Sequence, residues 1–190
     1  MKVITISAKA QHGKDYTANL LKNELRRYGY SVLVCHYADL LKYICKQFFG
    51  WNGEKDETGR TLLQKVGTEG VRTKRPDFWV DFIEDILEFF PNEWDFVLIP
   101  DTRFPNEITK MKERFDTISV HVTRPNFENS LTEEQRKHPS EVALDDFDFD
   151  YELINNGTEE GMKQEVLEFI ETLFQSSRKK DLINKAKDNI

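Results

Sequence analysis

Along the chain, short apolar runs of strand length alternate with longer segments whose apolar residues recur at helical spacing. KVITIS, 2–7, is a β-branched run suited to a strand buried on both faces. From 14 to 28 the apolar positions Leu20, Leu21, Leu25 and Tyr28 share one helical face, and Gly29 follows where a C-terminal cap is expected. SVLVCH, 31–36, reads as a second strand, and 38–50 as a helix with apolar pairs at 40/41, 44/45 and 48/49. The polar stretch 51–59 reads as loop, and two glycines make 60–72 an irregular helix. Pro76 precedes a strongly amphipathic helix over 77–90. A third strand at 94–101, a helix at 105–115 and a fourth strand at 117–124 follow. After a long polar excursion, 151–156 reads as a last strand and 157–174 as a closing helix.

This alternation predicts an α/β fold, a parallel sheet of about five strands with helices on both faces. Over 190 residues it fits one domain, drawn at 1–177, with a lid at about 124–141. The charged stretch 178–190 is expected as a tail or peripheral helix. A net charge of −7 argues against a nucleic-acid partner, and no apolar run is long enough to span a membrane. MKVITIS lacks the basic and apolar regions of a signal peptide, so none is expected. Cys35 and Cys45 have no disulfide or zinc pattern and read as small hydrophobes.

In such sheets ligands sit beyond the strand C-terminal ends, and the candidate chemistry collects there. SAKAQHGKDYTA, 7–18, resembles a phosphate-binding loop with Ala8 at the first glycine position and Asp15 where a hydroxyl usually stands. Gly13 permits close backbone approach, the helix start offers amides to an anion, and Lys14 supplies a point charge. Thr17 is a substitute hydroxyl. Asp101, at the end of strand 3, suits a metal-binding role beside such a loop, and Arg103 stands two residues on. Basic residues gather at Arg60, Arg72, Lys74 and Arg75, and again at Arg124, Arg136, Lys137 and His138. The polar segment after Arg124 fits a lid that brings Arg124 and Arg136 over phosphates. Asn155, Asn156 and Gly157 follow the last strand, and Trp79 with Phe78 either packs in the core or walls a base pocket. No histidine is assigned a proton-transfer role.

GKDYTA, LLQKVGTEGVR with PDFWV, DTRFPNE, HPSE and LINNGTEE, in this order over about residues 3–170, resemble the phage-type deoxynucleoside monophosphate kinases. The resemblance implies a P-loop kinase fold, ATP as donor, a deoxynucleoside 5′-monophosphate as acceptor and Mg²⁺ as cofactor. It also implies a cytoplasmic location, that of the host cell if phage-encoded, and leaves a homodimer open. On it, Ala10, Gln11, His12, Gly13, Lys14, Asp15, Tyr16 and Arg124 would bind ATP. Asp39, Arg72, Arg75, Trp79, Arg103 and Glu141 would bind the acceptor. Lys14, Asp101, Arg103 and Arg136 would act in catalysis, with Asp15 and Asp101 at the metal. A phosphomevalonate-type kinase and a non-catalytic nucleotide-binding module remain alternatives.

Overall fold

The computed structural model describes residues 1–54 and 56–187, with side chains through Gln175. Five parallel strands, β1 (Lys2–Ala8), β2 (Val32–Val34), β3 (Phe96–Thr102), β4 (Asp116–Thr123) and β5 (Tyr151–Ile154), form one sheet in the order β2-β3-β1-β4-β5. β1 is central because its apolar run has no polar face to turn to water: Val3, Ile4 and Ile6 are fully buried.

Alternation along the strands feeds two cores. Ile4 and Ile6, Leu98, Val120, Val122 and Leu153 point to one side, where α1 (Lys14–Arg27) and α8 (Glu159–Lys187) cover them with Leu21, Leu25, Val166 and Phe169. Val3, Val97 and Ile99 point to the other side, under α2 (Ala38–Phe48), α4 (Phe78–Phe89) and α5 (Pro105–Arg114). Burying such aliphatic side chains contributes about 1.5–3 kcal/mol each, and these two layers fix where the strand ends point.

Several boundaries differ from the sequence reading. The second strand is shorter, because Cys35 to Tyr37 already turn toward α2. Part of the expected loop 51–59 is helical: Asp56 caps α3 (Glu57–Gln64) by accepting a hydrogen bond from the Gly59 amide. The irregular stretch becomes a π-helix, Lys65–Arg72, in which the Trp79 indole donates to the Gly67 carbonyl at 3.1 Å. A side chain at Gly67 would stand 2.6 Å from Leu41 Cδ2, so glycine lets this helix seat against α2. The polar excursion holds two short helices, α6 (Glu133–Arg136) and α7 (Pro139–Val142). The charged stretch from 178 continues α8 through Lys187; residues 188–190 lie outside the described residues. Among the described residues no helix is long and apolar enough to cross a membrane.

Candidate active site

The order places β1 between β3 and β4, so the chain leaves the central strand one way to β2 and later crosses back to β4. Ligands favour the crevice at such a reversal. The loop after β1 opens there. Ala8 still belongs to the strand, and the positive φ angles fall at Gln11 (64°) and Gly13 (101°). The loop therefore turns without a glycine at position 8. Thr17 N–H donates to the Gly13 carbonyl to begin α1, and no side chain caps the helix start. The amides of Lys14, Asp15 and Tyr16 are thus turned outward without helical partners, which makes an anion site reinforced by the helix dipole.

Two further contacts fix the loop from outside. Asn155 Nδ2 donates to the His12 carbonyl at 2.8 Å, and the Arg124 amide donates to His12 Nδ1 at 3.1 Å. The His12 ring packs edge-on to Phe127. Burial, then the nearby Arg124 charge, lowers the His12 pKa and keeps Nδ1 free to accept.

At the end of β3 the register with β1 slips between Thr5 and Ser7, and the bulge falls around Pro100 and Asp101. It aims the Asp101 carboxylate at the start of α2, where its two oxygens accept from the Tyr37 and Ala38 amides, each at 3.0 Å. Arg103 lies across the loop. Its Nη1 donates to the Ala8 carbonyl, the Ser140 carbonyl and Glu141 Oε1, the last at 2.7 Å. Among the described residues its Nη2 and Nε make no such bond, which leaves them to an anion. Glu141 Oε2 also accepts from the Ala10 amide, and Lys9 binds both the Glu141 carbonyl and Asp145. The segment around α7 is thereby tied to the loop's first turn.

Two clefts meet over these residues. The loop-side cleft, about 500 Å³, runs along Ala10, Gln11, Gly13, Lys14, Asp15 and Tyr16 and is roofed by Leu131 and Gln135. The inner cleft, about 290 Å³, reaches between α2, the π-helix and α5, past Tyr37, Leu41, Lys42, Thr68, Arg72 and Trp79. Lys14, Asp15, Leu63, Gln64, Arg103, Ser140 and Glu141 line both. In the inner cleft Arg72 stacks on Phe104, 3.9 Å from the ring centroid, and pairs with Glu107 at 2.5 Å.

The sequence-predicted residues divide accordingly. Lys14, Asp15, Asp101, Arg72, Trp79, Arg103 and Glu141 converge on the inner cleft, and Trp79 is also a core residue, 3% exposed. Arg75 instead lies over Phe78, and Asp39 bonds the His36 amide and Lys42; neither lines the clefts. Arg124 lies over the Phe127 ring at 4.0 Å, beside Gly157. Arg136 is turned to Asn129 within the segment between β4 and β5, 2.8 Å from its carbonyl, and lines neither cleft. Thr17 does not serve as the substitute hydroxyl: it is fully buried and donates to the Gly13 carbonyl, as a helical threonine with no route to the cleft does. Lys42, Gln64 and Glu107 went unassigned from sequence. Gln64 and Glu107 do sit within the LLQKVGTEGVR and DTRFPNE stretches, whereas Lys42 reads as an ordinary surface lysine.

A glycine loop joining the central strand to the first helix, a lysine at that helix start and an aspartate at the neighbouring strand end define a P-loop kinase. Solved structures share the fold. Shikimate kinase from Aquifex aeolicus is 15% identical with a TM-score of 0.53, over 92% of this chain and 99% of that one. Shikimate kinase from Acinetobacter baumannii in complex with shikimate is 13% identical with a TM-score of 0.53, over 92% and 93%. The Mycobacterium tuberculosis APS kinase CysC in complex with AMPPNP and APS is 13% identical with a TM-score of 0.52, over 90% and 96%. No curated protein sequence matches the chain. Residues 35–166 match the family model for deoxynucleotide monophosphate kinase, well over half the chain, and the protein belongs to that family. Family and fold together support a nucleotide kinase, a phosphotransferase.

Proposed function

We propose that the protein transfers the γ-phosphoryl group of ATP to a deoxynucleoside 5′-monophosphate, yielding ADP and the diphosphate. The observation that carries this reading is the meeting of two clefts at Lys14 and Arg103. A donor in the loop-side cleft and an acceptor in the inner cleft would present their phosphates to each other there. Positioning and charge neutralisation, rather than covalent chemistry, are what phosphoryl transfer asks of a protein.

In this reading the loop amides and Lys14 hold the β- and γ-phosphates. Arg103, with one nitrogen anchored by Glu141, turns the rest of its fork to the transferring group. Arg72 faces the acceptor. An acceptor oxygen attacks the γ-phosphorus, the bond to the β,γ-bridging oxygen breaks, and its electron pair leaves with ADP. The acceptor phosphate is largely ionised near neutral pH, so no general base is required. Arg124, stacked on Phe127 and beside Gly157, would turn to the donor nucleotide once ATP is bound. Arg136 would reach the transferring phosphoryl after the lid turns inward.

Asp15 and Asp101 fit Mg²⁺. Both are hard oxygen donors, Asp15 bordering both clefts and Asp101 the inner one, and Mg²⁺ in kinases takes one or two carboxylates with the remaining positions filled by phosphate and water. The ion would offset phosphate charge. Assay of ADP release over a panel of deoxynucleoside monophosphates, ribonucleotides and phosphorylated alcohols tests the proposal. Turnover with deoxynucleotides is expected. Transfer solely to a non-nucleotide, or ATP binding without any turnover, would reject it.

A further inference from the structure

The side chain on which the inner cleft is assembled has no predicted role and does not face the reaction. Glu107 is the third residue of α5, 2% exposed, and both its oxygens are occupied. Oε2 accepts from the Arg103 amide at 2.6 Å and the Phe104 amide at 3.1 Å, as a capping residue reaching back around a helix start does. Oε1 accepts from Arg72 Nη2 at 2.5 Å. One buried carboxylate therefore makes the short link between two pieces that otherwise meet through the Arg72–Phe104 stack and a long Arg72–Asn106 bond: the π-helix that carries Arg72 and the turn that carries Arg103.

Arg72 has few other reasons to sit where it does. It is the last residue of its π-helix, and its Nη1 bonds to Pro76 and Asn106 are long, both 3.4 Å. The Phe104 ring beneath it is itself placed by the amide bond to Glu107. Take the carboxylate away and Arg72 loses its short bond, while Phe104 and Arg103 lose the group that holds their turn.

We propose that Glu107 is a positioning residue for phosphoryl transfer, which locks Arg72 and the Arg103 turn into one rigid acceptor-phosphate cradle. The inference rests on the kinase reading above and deepens it. It also carries a pH signature. The groups facing Glu107 are Arg72 from the π-helix, Asp101 and Arg103 from the end of β3, and Tyr37, whose hydroxyl donates to the Glu107 carbonyl at 2.8 Å. Burial outweighs the Arg72 charge and pushes the carboxyl up to about 7. The cradle is then fully charged above that value, and as the pH falls through it the carboxyl gains a proton and the pair with Arg72 weakens.

The test is acceptor binding by calorimetry and steady-state kinetics, on wild type, Glu107→Gln, Arg72→Gln and the double variant, from pH 6 to 8.5. Glu107→Gln should raise the acceptor Kd and KM on the order of tenfold, lower kcat less, and leave ATP affinity near wild type. Its acceptor KM should also lose the part of the wild-type pH dependence centred near 7, while titration of the substrate phosphate stays common to both proteins. The double variant should bind acceptor no worse than Arg72→Gln alone. Should Glu107→Gln fail to fold, Glu107→Asp keeps the charge but is one methylene too short to reach both partners, and should show the same acceptor defect in weaker form. Normal acceptor binding in the variants, additive losses in the double variant, or an unchanged pH profile would overturn the proposal alone. Absence of deoxynucleotide binding by wild type would overturn it together with the functional reading.

Discussion

Gly13→Ala combines two costs that the structure separates. The residue sits at φ 101°, where a β-carbon strains the backbone by about 1–2 kcal/mol. The added carbon would also lie 2.6 Å from Asn155 Nδ2. Asn155 must then move and give up its bond to the His12 carbonyl, a further loss of about 1 kcal/mol. The sum is about 2–3 kcal/mol, which in a domain of this size lowers the Tm by about 4–12 °C. Gly29→Ala is the control: φ is 88°, but nothing lies within 4 Å, so only the strain should be seen. Urea unfolding of both variants, with unchanged m, gives the difference directly. Introducing Asn155→Ala into Gly13→Ala should cost less than Asn155→Ala in wild type, because the clash disappears with the side chain. If Gly13→Ala were no more destabilising than Gly29→Ala, or if the two changes at 13 and 155 were additive, the account of Asn155 as the clamp on this loop would be refuted.

Lys14→Ala should remove most turnover while its unfolding midpoint stays near wild type, since the side chain borders open clefts and leaves no core cavity; wild-type kcat/KM would reject the phosphate-site assignment. Arg136→Ala should lower kcat on the order of 10²-fold or more with little change in ATP affinity, and Arg136→Lys should recover only part. Near-normal kcat, with undiminished proteolysis of 125–140 when both nucleotides are bound, would defeat the lid role. Burial holds the pKa of His121 below its usual 6.5, so the unfolded chain takes up the proton first and this histidine's contribution to stability is lost as the pH falls through 6.5. Glu107, with its raised value, contributes in the opposite sense, so the measurement is a difference. The Tm of His121→Phe minus that of wild type should grow from pH 7.5 to 5.5, and a constant difference would contradict the half-buried, neutral imidazole.

Much of the site was legible because it lies at strand ends, and strands announce themselves by composition. KVITIS followed by HGKD, and FVLIPD followed by TR, locate the loop, Lys14, Asp101 and Arg103 without knowledge of the sheet order. The arginines were less legible. Charge alone marks Arg72 and Arg75 equally, yet one faces a cleft and the other covers Phe78. Arg72 is the last residue of the π-helix and Arg75 lies past its end in the connection to α4, and the change from α to π winding at Lys65 shifts the helical phase in a way periodicity does not reveal.

The alternation of strands and helices, the two-faced burial of β1 and the character of the loop after it are written in the order of residues, because they follow from local spacing and backbone preference. The contacts between distant parts of the chain come from the packing instead. Asn155 braces His12 from 143 residues away, Glu141 holds Arg103, and Glu107 gathers Arg72 from another element. Such contacts depend on which strand lies next to which, and a buried polar atom takes whatever partner the packing brings within reach.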